Sequence, residues 1–277
     1  MKKWLRNQTV ILSGASGGIG KQLCLILIRK YGAKVIGIGR SERKMQALLE
    51  ELGDKAVNFS YRLFDVADEN AWIDLASSLE SQAIVPTMLI NNAGVFPSFD
   101  KAVNCPSALA EEIMKTNFLS TVYAVNALLP LIKQSSSPSV YFICSSSALC
   151  SVVGSAFYAS SKSAMKAYAE TLALENDKKS LYVGVAFPGA TKTDLFRNDQ
   201  NAQNSALDKV ASSPEKMAKK IAKAIYKKKR RIVPGADAKM MNFTAKVAPV
   251  KGPALIKSVM KASKSKVFTK VFDYEQK

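Results

Sequence analysis

The 277-residue sequence contains no histidine. That absence excludes a Ser-His-Asp hydrolase, a histidine-ligated zinc site and any histidine proton shuttle, so proton transfer near neutral pH falls to another side chain and no metal site is expected. Cysteine is scarce. Cys24, Cys105, Cys144 and Cys150 include no C-x-x-C pair, which argues against a disulfide framework, suits a reducing, cytoplasmic setting and reads as buried small apolar residues. Long apolar runs are missing as well. The start, MKKWLRNQTVILSG, is basic, but its apolar stretch is five residues and runs into a glycine loop, unlike a signal peptide. Residues 134–161 carry no charge yet are rich in serine, and no stretch suits a bilayer span.

Acidic residues are few in one region only. Residues 1–208 hold 21 Lys+Arg against 18 Asp+Glu, whereas residues 209–277 hold 19 against 4. The net charge of +18 is therefore split into +3 and +15, and the basic character belongs to a terminal appendage rather than to the body of the protein.

What is present is a repeated alternation. Short aliphatic runs at 9–13, 34–38, 57–63, 87–91, 139–145, 181–187 and 231–235 are separated by helical patterns near 19–31, 41–52, 69–82, 107–133, 156–175 and 214–229, with Gly32 suited to cap the first helix. Near-continuous apolar strands separated by helices predict an α/β fold: a doubly wound, Rossmann-type, seven-stranded parallel sheet covered on both faces. The predicted units are a domain over 1–235 and an extension over 236–277. The polar stretch Thr191–Ser213 lacks periodicity, follows a strand end and reads as a mobile loop over the site.

SGASGGIG at 13–20 joins the first strand to the first helix, so Gly14, Gly18 and Gly20 sit where backbone must approach a ligand and the helix N-terminus offers N–H groups to a pyrophosphate; a packing turn is the alternative. The second strand ends in Gly39 and Arg40, where a fold selective for NAD(H) usually presents a carboxylate. A missing acid followed by a guanidinium favours the 2′-phosphate of NADP(H), unless Arg40 is only a surface residue opening a helix. Tyr158 and Lys162 lie one turn apart on a predicted helix, a pairing expected about once by chance in a chain of this composition. They are accompanied by NNAG at 91–94, Asn117 and Ser145.

In order and spacing SGASGGIG, Asp65, NNAG, Asn117, Ser145, Y-A-S-S-K and PGATKT resemble the short-chain dehydrogenase/reductase family, over about residues 7–235. The resemblance implies a homodimer or homotetramer with a catalytic tetrad of Asn117, Ser145, Tyr158 and Lys162. It implies cofactor contacts from Gly14, Ser16, Gly18, Ile19, Gly20, Arg40, Asp65, Val66, Asn92, Ala93, Gly94, Tyr158, Lys162, Pro188, Gly189, Thr191 and Thr193. Each catalytic role has a physical warrant. A phenol ordinarily titrates near pH 10, so Tyr158 needs a nearby cation; Lys162 supplies one and can hold the nicotinamide ribose. Ser145 can bond the substrate oxygen, and Asn117 can hold a water leading to solvent. Bland readings stand beside these: turn chemistry for Ser145, backbone bonding for Asn117, and a helix N-cap ahead of Glu69 for Asp65. Thr191 stands where the family often has an aliphatic residue.

The expected activity is NADP(H)-dependent reduction of a ketone or aldehyde, or the reverse, on a hydrophobic 3-oxoacyl, sphingoid or steroid-like substrate. A dinucleotide-binding regulator anchored by its basic tail is the alternative. In that tail lysines interleave with apolar residues, and Pro249 and Pro253 divide it into two amphipathic pieces. Such pieces can pack on the domain, cap the substrate entrance or lie on an anionic membrane. Nucleic acid is not the expected partner, because Arg230 and Arg231 are the segment's only arginines and regular aromatic platforms are lacking.

Overall fold

A computed structural model describes residues 4–177, 179–193 and 211–272. Its strands are β1 (Thr9–Ser13), β2 (Lys34–Gly39), β3 (Phe59–Leu63), β4 (Met88–Asn91), β5 (Ser139–Ile143), β6 (Tyr182–Ala186) and β7 (Arg231–Ile232). All pair in parallel, in the order β3-β2-β1-β4-β5-β6-β7. The order reverses between β1 and β4, and a crevice opens at the carboxyl ends of strands at such a switch point.

Alternation along each strand feeds two cores. Val10, Leu12, Met88, Ile90, Tyr141 and Ile143 enter one core, while Ile11, Leu89, Val140 and Phe142 enter the other. The first core is closed by helices α1 (Gly18–Arg29), α2 (Glu42–Leu52) and α7 (Pro214–Tyr226), through residues such as Leu23, Met45 and Ile221. The second is closed by α3 (Glu69–Ser81), α5 (Ser120–Lys133) and α6 (Ala156–Glu175), through Trp72, Leu128 and Met165. The predicted sandwich of helix, sheet and helix is therefore present.

Several local expectations change. The single helix predicted over 107–133 is interrupted: α4 (Ser107–Met114) passes through a π-helical turn, Lys115–Leu119, into α5. β3 loses its first two residues to a 3-10 turn, and β7 is two residues long. Cys24, Cys144 and Cys150 are buried, but Cys105 is only partly so. Most of the loop read at Thr191–Ser213 lies outside the described residues; its two ends are joined by a bridge between Thr191 and Ser212. Helices α8 (Ala236–Val247) and α9 (Lys251–Ala262) form the tail, and their break falls at Ala248–Val250. Pro253 sits inside the first turn of α9, where its missing N–H costs no helical bond.

The tail contributes to a third apolar cluster in which Met241, Ile256, Met260, Val267 and Phe268 meet Phe96, Phe99 and Cys150 of the domain. Packing on the domain, one of the three arrangements open from sequence, is thus realised.

Candidate active site

The loop after β1 is shaped by contacts that tolerate no side chain. At Gly20 a Cβ would lie 2.0 Å from the Gly14 carbonyl oxygen and 2.5 Å from the Asn92 Nδ2. Gly14, at φ +66°, faces the same Asn92 amide. Asn92 Nδ2 donates to the carbonyls of Ser13 and Gly14 at 3.0 and 3.2 Å, and the buried Ser13 hydroxyl accepts from the N–H groups of Asn92 and Ala93. The glycine loop and NNAG are thereby locked together. Ile19, in the first turn of α1, packs partly buried against the core beneath. The N-cap of α1 is Gly17, which supplies no side-chain cap, has no atom within 4 Å of a would-be Cβ and is followed by no acid in the first turn. Uncapped N–H groups facing open space fit a pyrophosphate.

The end of β2 carries no carboxylate, and the space beside Gly39 is taken by side chains. A Cβ on Gly39 would stand 2.7 Å from Met45 Cε and 3.1 Å from Ser16 Oγ. Arg40 lies exposed beside it, its Nη1 3.2 Å from Asp65 Oδ2, a weak solvent-screened pair that an arriving phosphate can displace. Asp65 also accepts from Ala67 N, but it does not cap α3. Asp68 does, accepting from Asn70 and Ala71, because it is the residue directly before the helix. Val66 is buried and its carbonyl accepts from the Trp72 indole, which fixes the turn where β3 leaves the sheet.

The four tetrad positions converge. The π-helical turn rotates Asn117 inward until it is fully buried, a distortion typical of functional sites. Its Oδ1 accepts from Val95 N at 2.7 Å, while its Nδ2 donates to Val95 O and Ser161 Oγ, both at 3.0 Å. These bonds use both N–H donors of the amide and one of the two acceptor sites of its oxygen. Gly94 makes the junction possible: a Cβ there would fall 3.1 Å from Asn117 Oδ1 and 3.2 Å from Lys162 Nζ.

Ser145 follows β5 and accepts from Ser147 N. Tyr158, near the start of α6, is hydrogen-bonded to the Ser145 hydroxyl. Burial pushes the Tyr158 phenol up to about 12, partly offset by that bond. Lys162, one turn on, is buried, donates to Ile143 O at 3.3 Å and sits 6.0 Å from the centre of the Tyr158 ring. Burial lowers its ammonium to about 8.

After β6, Pro188 accepts from Ser146 N, and the buried Thr191 donates to Gly189 O. Thr193 lies against the glycine loop, its methyl 2.9 Å from where a Cβ on Gly18 would be. Sequence reasoning missed the group that anchors this segment. The Asp237 carboxylate, in the first turn of α8, accepts from Ala190 N at 2.6 Å and fills the space beside Gly189, where a Cβ would meet both its oxygens at 2.2 Å. The glycines at 189 and 235 signalled a close approach, but nothing in the string identified its partner. Ser13 and Ser161, which bond site residues, were missed likewise.

The tail shapes the mouth of the site. Phe96 stacks edge-on against Tyr158 at 5.0 Å and against Phe99 at 4.8 Å, and Phe99 meets Phe268 of the tail. Beside Tyr158 lies a cavity of about 260 Å³, lined in part by Phe96, Leu109, Ile113 and Lys270. It shares Lys101, Ala102, Gly154 and Ala156 with an open groove of about 920 Å³, walled on one side by α9. Tyr158 lines the smaller space and not the larger, so the smaller is the one beside the chemistry.

A doubly wound sheet with this convergence defines a dinucleotide-dependent oxidoreductase, and residues 8–204 match the family model for short chain dehydrogenase. The chain belongs to the short-chain dehydrogenase family. Among relatives, it is 29% identical over 241 residues to dehydrogenase/reductase SDR family member 7B of Danio rerio, covering 83% of this chain and 77% of that protein. It is 27% identical over 252 residues to 3-ketodihydrosphingosine reductase of Bos taurus, covering 87% and 75%. Among solved structures, a short chain dehydrogenase from Shigella flexneri complexed with NADP superposes with a TM-score of 0.74 at 23% identity, over 83% of this chain and 97% of that one. The alcohol dehydrogenase of Thermococcus sibiricus complexed with 5-hydroxy-NADP gives 0.71 at 20% identity, over 82% and 94%.

Proposed function

We propose that the protein is an NADP(H)-dependent reductase that converts a hydrophobic ketone, of the 3-oxoacyl or sphingoid type, into the alcohol. The observation that carries this reading is the convergence of Ser145, Tyr158 and the buried Lys162, with Tyr158 lining a cavity that Phe96, Leu109 and Ile113 help to wall. Bound NADPH supplies the hydride. The uncapped N-terminus of α1 and the loop Gly14–Gly20 hold its pyrophosphate, Arg40 and Ser16 take the 2′-phosphate end, and Asp65 and Val66 flank the adenine. Asn92, Ala93, Gly94, Pro188, Gly189, Thr191 and Thr193 border the nicotinamide half. Cofactor complexes of the solved structures, and the absence of an acid at Gly39 beside the Arg40 guanidinium, support NADP(H) over NAD(H).

Ser145 bonds the substrate oxygen and Tyr158 delivers a proton to it. Burial, rather than the lowering expected from a nearby cation, sets the Tyr158 phenol, which is protonated at neutral pH and can donate to a forming alkoxide. Lys162, charged below about pH 8, stabilises the tyrosinate left behind. Asn117 is a positioning residue that fixes Val95 and, through Ser161, the backbone of Tyr158.

The name of the 3-ketodihydrosphingosine reductase relatives supports a long-chain ketone, as does the phenylalanine-lined mouth. The exposed outer face of α6, with small residues at Ser160, Ser163 and Ala167 and Leu174 open to solvent, supports a homo-oligomer, and buried free thiols support a reducing cytoplasm. Tyr158→Phe, assayed on a panel of ketones graded by chain length, should lower turnover about 10²–10⁴-fold with NADPH binding retained. Undiminished turnover in that variant removes Tyr158 from the mechanism.

A further inference from the structure

We infer that α8 and α9 form a docking surface for an anionic lipid bilayer. Each helix carries two apolar stripes, and only one of them is used inside the protein. On α8 the buried stripe is Ala238 and Met241, whereas Met240, Phe243 and Val247 are 51, 64 and 63% exposed. Their spacing of three and four residues places them on one side of the helix, away from the buried pair. On α9 the buried stripe is Ile256 and Met260, whereas Leu255 and Val259, one turn apart, are 57 and 60% exposed. A helix that only packs on its domain needs one stripe.

The two helices touch close to the turn between them. Gly252 lets α9 approach the backbone of Thr244, where a Cβ would lie 3.0 Å from the Thr244 carbonyl oxygen. The connection between them exposes Val250.

Charge identifies the occupant. Between Ala238 and Phe272 there are eight lysines and no acidic residue, and all eight lysines are exposed. Among the described residues none of them forms an ion pair. Lys239 and Lys246 border the exposed stripe of α8, and Lys251 that of α9. Apolar side chains edged by ammonium groups match the headgroup boundary of a membrane containing anionic lipid, where rings and aliphatics enter the interface and lysines stay with phosphate. A second copy of this chain would bring sixteen lysines to one contact, with no acid between Ala238 and Phe272 to receive them.

The test uses the full-length protein and extruded vesicles of phosphatidylcholine alone or with about a third phosphatidylserine. Co-sedimentation should be at least tenfold stronger with the anionic vesicles and should fall steeply at high salt. The variant Phe243→Ser/Val247→Ser/Leu255→Ser/Val259→Ser should lose at least tenfold in partitioning while keeping its melting temperature, since all four positions are exposed. Phe243→Trp should show a blue shift in emission with anionic vesicles only. Equal partitioning of parent and quadruple variant overturns the proposal, as does absence of binding to anionic vesicles. So does a change of the variant's oligomeric state without change in partitioning, which would make the patch a subunit contact. Binding driven by charge alone, with no emission shift, also contradicts it.

Discussion

The crevice at the carboxyl ends of the strands and the tail that borders it are built on opposite principles. In the crevice, position is set by backbone: Gly14 and Gly20 stand where an added carbon would collide with a named neighbour, Gly94 stands where it would crowd Asn117 and Lys162, and the Asn92 and Asn117 amides around them are hydrogen-bonded. In the tail, position is set by burial alone: Ile256, Met260, Phe268 and Phe272 hold it to the domain, and apart from Asp237 few long-range polar contacts fasten it. The first arrangement specifies geometry to within tenths of an ångström, as transfer of a hydride and a proton requires. The second specifies which surface is covered and leaves other faces available to bind or to adapt.

This contrast can be broken most directly in the tail. Phe268 is 2% exposed and touches Phe99, so Phe268→Ala should cost about 3–5 kcal/mol, as a core truncation does. Phe243→Ala, on the same appendage, should stay within about 0.5 kcal/mol. Equal, small losses in denaturant unfolding would mean that the tail is not part of the folded core. In the crevice, Gly20→Ala forces the loop apart from Gly14 and Asn92. NADPH affinity should drop by about tenfold or more, the equivalent of about 1.4 kcal/mol, in a fluorescence titration; unchanged affinity would show the loop to be compliant.

The joint between the two regions is Asp237. Asp237→Ala leaves the Ala190 N–H without its acceptor and should cost about 1–3 kcal/mol, visible as a lowered melting temperature, with Asp237→Asn recovering part of it. The smallest effect concerns pH. Burial lowers the Lys162 ammonium to about 8, so its charge is complete well below that value and is lost as pH rises through it, whereas Tyr158, pushed up to about 12, remains protonated throughout. Reductive kcat/KM should therefore be level near neutrality and fall above about pH 8. In Lys162→Met the plateau should be lower and the alkaline limb gone; a limb persisting in that variant belongs to another group.

The difference between the regions also decides what could be read from the string. Strand identity was legible because parallel strands buried on both faces are continuous apolar runs, and their alternation with helices implies a doubly wound sheet; the order β3-β2-β1-β4-β5-β6-β7 comes from the fold. Tyr158, Lys162, Ser145 and Asn117 were legible as a set through the resemblance of their order and spacing to the short-chain dehydrogenase/reductase family, the Tyr158–Lys162 pairing alone being no more than chance supplies. The π-helical turn was not, since 107–133 keeps one apolar period across it, and the inward rotation of Asn117 comes from its bonds to Val95 and Ser161 in other segments. Asp65 was weighed as a cap when Asp68, three residues on, lies directly before the helix. Asp237 was invisible because a carboxylate at a helix start is ordinary, and only the fold brings Gly189 against it. In the tail the amphipathic pattern was plain, but which apolar residues turn inward is settled by contact with Phe96 and Phe99 rather than by sequence.

The central claim is best tested by following the loss of reduced-nicotinamide absorbance with a long-chain 3-ketone, using NADPH and NADH in parallel and repeating both with Arg40→Asp. The account predicts alcohol formed in step with NADPH oxidised, a preference for NADPH over NADH, and loss of that preference in the variant. Tight NADPH binding with no carbonyl compound reduced, or faster turnover with NADH in the parent protein, would contradict it.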